Sequence, residues 1–134
     1  MKPENIYKTI CSVGGALASF FFGGWSALLE ILLAFVAFDF LTGVMAANIE
    51  GKLNSNVGWK GIAKKVAIFA LVAVANLADR ALGDAHIFRD ATIFFYLANE
   101  LLSIIENIGR IGLPIPEALR KAVAVLKEKG EEDK

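Results

Sequence analysis

The chain has 134 residues, enough for one compact domain, but 56% are hydrophobic, only 21% are charged and the mean hydropathy is +0.55. Such a composition, with long stretches nearly free of charge, excludes an ordinary water-facing globule and indicates segments meant for lipid. Fourteen Lys and Arg balance fourteen Asp and Glu, so no global basic footprint for nucleic acid exists. Cys11 and His86 are the sole residues of their kinds, which excludes an intramolecular disulfide and leaves a metal site unsupported. Cys11 reads as an apolar filler buried in a helix.

At the N-terminus Lys2 and Lys8 precede an apolar stretch, and Ala16-Leu17-Ala18 has the small-x-small form of a signal cleavage site. Gly14 and Gly15 interrupt that stretch and hydrophobicity continues past it, so the segment is read as a retained first membrane helix. Between Thr9 and Ile49 the only charges are Glu30 and Asp39. A bilayer crossing takes about 20 helical residues, so this stretch holds two. Gly23-Gly24 divide it and Trp25 suits the interface. The expected helices are 6–22 and 26–47, the first short enough to lie shallowly or re-enter instead of crossing.

A loop is expected from Glu50 to Lys65, where Gly51, Asn54, Ser55, Asn56 and Gly58 favour turns. Lys52, Lys60, Lys64 and Lys65 make it basic, and Trp59 can anchor at lipid headgroups. A third helix is expected over 62–77, closing at Asp79-Arg80 and the polar turn Gly83-Asp84-Ala85-His86, with His86 as a solvated or capping residue. A fourth is expected over 91–108, stopped by Gly109, Gly112, Pro114 and Pro116.

From about 116 to 129 the pattern changes. Ile115, Leu119, Ala122, Val123 and Leu126 form one apolar stripe, while Glu117, Arg120, Lys121, Lys127 and Glu128 face away. That is an amphipathic helix for a surface or a partner, followed by a frayed tail over 130–134. The expected fold is therefore all-α: a polytopic membrane protein of about four transmembrane helices, with three as the alternative, plus a C-terminal amphipathic helix. Residues 1–112 form the transmembrane unit and 113–134 the cytoplasmic helix and tail. Positively charged short loops stay cytoplasmic, so the lysine loop faces inward and four spans place both termini there too. Three spans would put the N-terminus outside.

The most informative residues are those that lipid does not tolerate. An ionised side chain at mid-bilayer costs about 2.5–3.5 kcal/mol on insertion scales, so it normally faces protein or water. Asp39 lies in helix two, and Asn76 and Asp79 end helix three. On helix four, Asn99, Glu100, Ser103, Glu106 and Asn107 share an arc of roughly 120° at about 100° per residue. This seam either packs a bundle through interhelical hydrogen bonds, worth about 0.6–2 kcal/mol each, or lines a water-filled lesion in an assembly. Gly14/Ala18, Gly43/Ala47 and Ala63/Ala67 repeat small residues at a spacing that lets helices approach. No nucleophile–base–orienter set or phosphate-binding glycine loop occurs, so neither an enzyme nor a cofactor is expected.

The ordered set of these residues resembles the toxin-secretion/phage-lysis holin family. The resemblance begins at Asp39-Phe-Leu-Thr42-Gly43 and Ala46-Ala47. It runs through Gly51-Lys52-Leu53, Ser55, Lys60-Gly61, Lys64-Lys65 and Asp79. Its most specific part is Tyr96-Leu-Ala-Asn99-Glu100-Leu-Leu-Ser103-Ile-Ile-Glu106-Asn107-Ile-Gly109 with the exit Gly112-Leu-Pro114-Ile-Pro116. The resemblance implies a homo-oligomer in the bacterial host's cytoplasmic membrane that opens lesions for a cell-wall hydrolase (an endolysin) or a toxin, with no direct contact required. Physical reading alone also admits a small ion channel or transporter subunit using Asp39, Glu100 and Glu106, or a membrane anchor whose last helix recruits a partner.

Overall fold

The computed structural model describes residues 2–83 and 85–132. Asp84 of the expected polar turn and residues 133–134 of the expected tail lie outside the described residues. Five helices follow one another: α1 (Pro3–Phe22), α2 (Ala27–Ile49), α3 (Ser55–Leu82), α4 (Ile87–Ile111) and α5 (Glu117–Glu132). The described residues contain no strand.

Three of these, α2, α3 and α4, are long and apolar enough to cross a membrane. The architecture is that of an all-α polytopic membrane protein. Three candidate spans match the lower of the two expected numbers. α1 has a membrane-spanning length, but Glu4, Lys8 and the Gly14-Gly15 pair dilute its hydropathy.

The helix ends explain where the elements differ from expectation. The expected loop over 50–65 shrinks to a short turn, because Asn54 starts α3 early: its Oδ1 accepts the Val57 N–H at 2.9 Å. Gly83, at φ +127, then stops α3 well past Leu77. Ser26 caps α2 by accepting the Leu29 N–H at 3.2 Å. At the other end of the bundle, α4 closes on Gly112 in a left-handed conformation, and Pro114 and Pro116 hold the link to α5 open. Gly130 does not begin a frayed tail: it lies inside α5 and is buried.

α4 is the central helix, packed against α2, α3 and α5. Leu29, Leu32 and Val36 of α2, Ile68 and Val72 of α3, and Ile93 and Leu97 of α4 form the core, with Leu126 of α5 against its edge. Small residues bring α2 close to α4: a Cβ at Gly43 would sit 3.4 Å from Asn107 Nδ2, and Ala46 and Ala47 are buried. The Gly14/Ala18 pair is not used in this way, since no atom lies within 4 Å of a Cβ placed at Gly14. α1 rests on α3 through its last turn and buries no residue, so Cys11 is exposed, not the buried filler expected.

Candidate functional site

The three apolar helices each contribute one ionic group to a single cluster. Lys65 of α3 donates from Nζ to Asp39 Oδ2 of α2 and to both carboxylate oxygens of Glu100 of α4, Oε1 at 2.9 Å and Oε2 at 2.7 Å. Asp39 and Glu100 are 5% and 4% exposed. Ions this buried persist only when paired and hydrogen-bonded. Two carboxylates share one ammonium, so the polar amides and hydroxyls around them carry the remaining compensation.

Asn107 supplies part of it, at Asp39. Its Nδ2 lies within hydrogen-bonding distance of Asp39 Oδ1 (2.9 Å), the Asp39 carbonyl (3.1 Å) and Thr42 Oγ1 (3.1 Å). Ser103 sits beside the same carboxylate, in a cleft of about 410 Å³ between the helices. Arg110 donates from Nη1 to Asn107 Oδ1 at 3.3 Å and from Nε to Glu50 Oε1 at 2.9 Å. A continuous chain of polar contacts therefore runs from Glu100 through Lys65, Asp39, Asn107 and Arg110 to Glu50 at the end of α2. Along α4 this covers about 15 Å at 1.5 Å per residue. Lys60 and Lys64 flank the mouth of the cleft, with Arg110 across from them. The Arg110 hydrogen bond holds the Glu50 carboxyl below its ordinary range.

A second polar cluster lies at the opposite end of α4, where α1, α3 and α4 meet. Asn76 is fully buried and donates to the Phe21 carbonyl at 3.0 Å. Arg80 donates to the Phe20 carbonyl at 3.3 Å and Arg89 to the Phe22 carbonyl at 3.0 Å. These groups satisfy the last carbonyls of α1, where positive charge also suits the helix dipole. Asp79 turns the other way. Its two oxygens accept the Phe88 and Arg89 N–H groups, each at 2.8 Å, and so cap α4 from α3. His86 occupies the preceding position with φ +56 and makes no side-chain cap bond. Gly23 closes this cluster, because any Cβ there would lie 2.6 Å from Asn76 Oδ1.

The expected seam is thus divided. Asp39, Glu100, Ser103 and Asn107 come together. Asn76 and Asp79 build the helix-end cluster. Asn99 and Glu106 stand exposed on an outer stripe of α4 with Phe95 and Leu102. Of the expected headgroup set, Lys52, Trp59, Lys60 and Lys64 are exposed. Lys65 departs from that set: it is turned inward, with its side chain 19% exposed, because two buried carboxylates claim it. The sequence reading missed Glu50 and Arg110 as partners. Arg110 lies three residues after Asn107, on the continuation of the same helical face, and that spacing was the available clue. Among the described residues no three His, Cys, Asp or Glu side chains converge as a metal site requires.

Known proteins share this sequence over most of its length. The chain is 45% identical to an uncharacterized protein of Halalkalibacterium halodurans over 98% of its own length and 99% of the relative's. It is 44% identical to an uncharacterized protein of Listeria monocytogenes over 89% of its length and 85% of the relative's. A Clostridium perfringens relative, described as a 14.9 kDa protein in the nagH 3' region, is 40% identical over 86% of this chain and 88% of its own. No solved structure matches. The profile of the bacteriophage holin family matches residues 16–128, which take in α2, α3, α4 and most of α5, and the chain belongs to that family.

Proposed function

We propose that this protein is a holin: a non-enzymatic, self-assembling protein of the bacterial cytoplasmic membrane. Its lesions release a cell-wall hydrolase or a toxin. The observation that carries the reading is the Asp39–Lys65–Glu100 cluster, to which each apolar helix contributes one charge. Within one copy the helices satisfy these groups for each other. If the helices part on assembly, only water or the same groups of another copy can satisfy them, because lipid cannot. A bundle held in this way has two low-energy arrangements, one closed and one wet, as a protein that accumulates and then opens requires.

In this reading α2, α3 and α4 cross the bilayer, with the lysine-bearing start of α3 on the cytoplasmic side. Lys60, Lys64 and Arg110 around the cleft then meet anionic headgroups, each worth about 1 kcal/mol near such a surface.

The test is induced expression in bacteria with and without a cytoplasmic cell-wall hydrolase that lacks an export signal. Culture density, membrane potential and hydrolase release are followed together. Abrupt lysis that needs both proteins is the expected result. Depolarisation without hydrolase release would instead identify a small channel, and an intact potential would identify an anchor. Glu100→Leu is expected to delay or abolish lysis at equal membrane levels, since it removes one of the two carboxylates that bind Lys65. Unchanged timing would count against the cluster's role.

A further inference from the structure

α5 occupies an unexpected place. After the turn at Gly112–Pro116 it folds back along α4, which it retraces for most of its length. The depth it reaches is fixed by Gly130: a Cβ there would lie 3.2 Å from Phe94 Cβ and 3.3 Å from the Ala91 carbonyl oxygen. Ala91 is only four residues from the start of α4, about 6 Å along its axis. Ala122, Val123, Leu126 and Gly130 form the inward side of α5, with Ile115 half-buried just before it, whereas Leu119 of the expected stripe stands exposed; the bulk of the α4–α5 contact is therefore apolar.

The other side of α5 carries charge along its whole length. Glu117, Arg120, Lys121, Lys127, Glu128 and Glu131 are all exposed there. If α4 crosses the bilayer, as the proposed function holds, these charges lie at hydrocarbon depth. Lipid cannot cover such a row, so in this conformation the outer face of α5 needs water. Next to it, α4 presents the exposed stripe of Phe95, Asn99, Leu102 and Glu106. This stripe begins where the Phe95 backbone nitrogen would lie 3.4 Å from a Cβ placed at Gly130. A docked α5 and this stripe together form a surface that carries polar and charged groups along the crossing helices, with Phe95 and Leu102 between them.

We propose that α5, docked along α4, is the wall of the water-filled lesion, each copy in the assembly facing the lumen with its α4–α5 pair. The inference rests on the holin reading and deepens it. It moves the last helix from a cytoplasmic appendage to the lumen and carries its far end towards the outer leaflet.

Two variants of the full chain in lipid vesicles and planar bilayers test it. The first carries Phe94→Cys and Gly130→Cys in a Cys11→Ser background, which leaves no other thiol. A Cβ at position 130 would lie 3.2 Å from that of residue 94, a few tenths of an ångström below the disulfide range of about 3.5–4.5 Å, so after a slight outward shift oxidation links α5 to α4 within one copy if they are docked in the membrane. The linked protein is expected to release an entrapped protein-sized dextran as fully as the reduced form does. Release that is lost on oxidation and restored on reduction would mean that α5 must leave α4 for opening, and would overturn the proposal. Failure of the link to form in bilayers would overturn it too.

The second variant changes Arg120, Lys121 and Lys127 together to Glu. In a tenfold KCl gradient its reversal potential is expected to shift in the cation-selective direction. Permeability with an unmoved reversal potential would overturn the lumen assignment alone. A wild-type protein that never permeabilises the bilayer would overturn the holin reading and this inference with it.

Discussion

Lys65 is the residue on which the bundle's electrostatics turns. It is a single ammonium between two carboxylates that are almost fully buried. Removing one partner of a buried ion pair costs about 3–5 kcal/mol, whereas replacing the whole set with neutral groups is often nearly neutral. Lys65→Met is therefore expected to destabilise the protein by about that amount in detergent micelles, read from an SDS titration followed by far-UV circular dichroism. Adding Asp39→Asn and Glu100→Gln to Lys65→Met should recover most of the loss. A Lys65→Met protein as stable as the triple variant would show that water already solvates the site. At the cluster's far end, Arg110 lowers the Glu50 carboxyl, so the Glu50–Arg110 tie is complete at neutral pH. It is lost only as the pH falls through that lowered value. Glu50→Gln should mimic the acid state at pH 7, and the wild type and variant should converge in stability on acidification. The buried members on α2 and α4 were legible in the sequence because Asp39, Glu100 and Asn107 interrupt apolar runs. Lys65 was not, because it ends a run of lysines that otherwise stays at the surface, and only the tertiary packing of α3 against α4 separates it from Lys64.

At the scale of elements, what was hard to read was where helices begin. The start of α4 precedes its apolar run by a full turn because its cap comes from another helix: Asp79 accepts the Phe88 and Arg89 N–H groups across the α3–α4 turn. Local sequence holds no sign of such a cap, as His86 at the usual capping position makes no side-chain cap bond. Asp79→Ala is expected to cost about 0.5–2 kcal/mol, the range of lost N-caps, and to lower the thermal midpoint in micelles. An equal effect from Asp79→Asn, which keeps one acceptor, would argue for charge over hydrogen bonding as the origin. Gly23 is the companion position. Its φ of +74 and the 2.6 Å approach of Asn76 Oδ1 leave no room for a side chain. Gly23→Ala should loosen α1 from α3 and α4, while Gly14→Ala, where nothing lies within 4 Å, should be silent or slightly stabilising. A comparison of α1 proteolysis in the two variants reads this directly. Most of the amphipathic stripe of α5, though not the exposed Leu119, was visible from spacing alone, but its partner was not, since periodicity shows that a face is apolar and not what covers it.

For the whole molecule the open question is where α1 lies. It buries nothing, and its only substantial neighbour among the described residues is α3. Most of its exposed large apolar side chains share one side of the helix: Ile6, Ile10, Val13, Leu17 and Phe20 follow i, i+4, i+7, i+11 and i+14, with Phe21 at the edge of this stripe and Tyr7 outside it. Glu4, Lys8, Ser12, Gly15 and Ser19 take the opposite side, with Cys11 at its border. A helix of this kind rests in the interface with its apolar stripe in lipid and its polar side in water, whereas a lone span would need apolar residues all round. With the start of α3 on the cytoplasmic side, α2 begins outside, and α1 is expected to lie on the outer surface. Asn76, Arg80 and Arg89 secure its last turn there. Because Cys11 is the chain's only thiol, the wild-type protein reports the answer. In intact spheroplasts, before any permeability develops, a membrane-impermeant maleimide should label Cys11 to the level reached in detergent. Labelling only after the membrane is dissolved would mean that α1 crosses as a fourth span. In that case Lys2 and Lys8 return to the cytoplasm, and the stripe must find its cover in another copy of the chain.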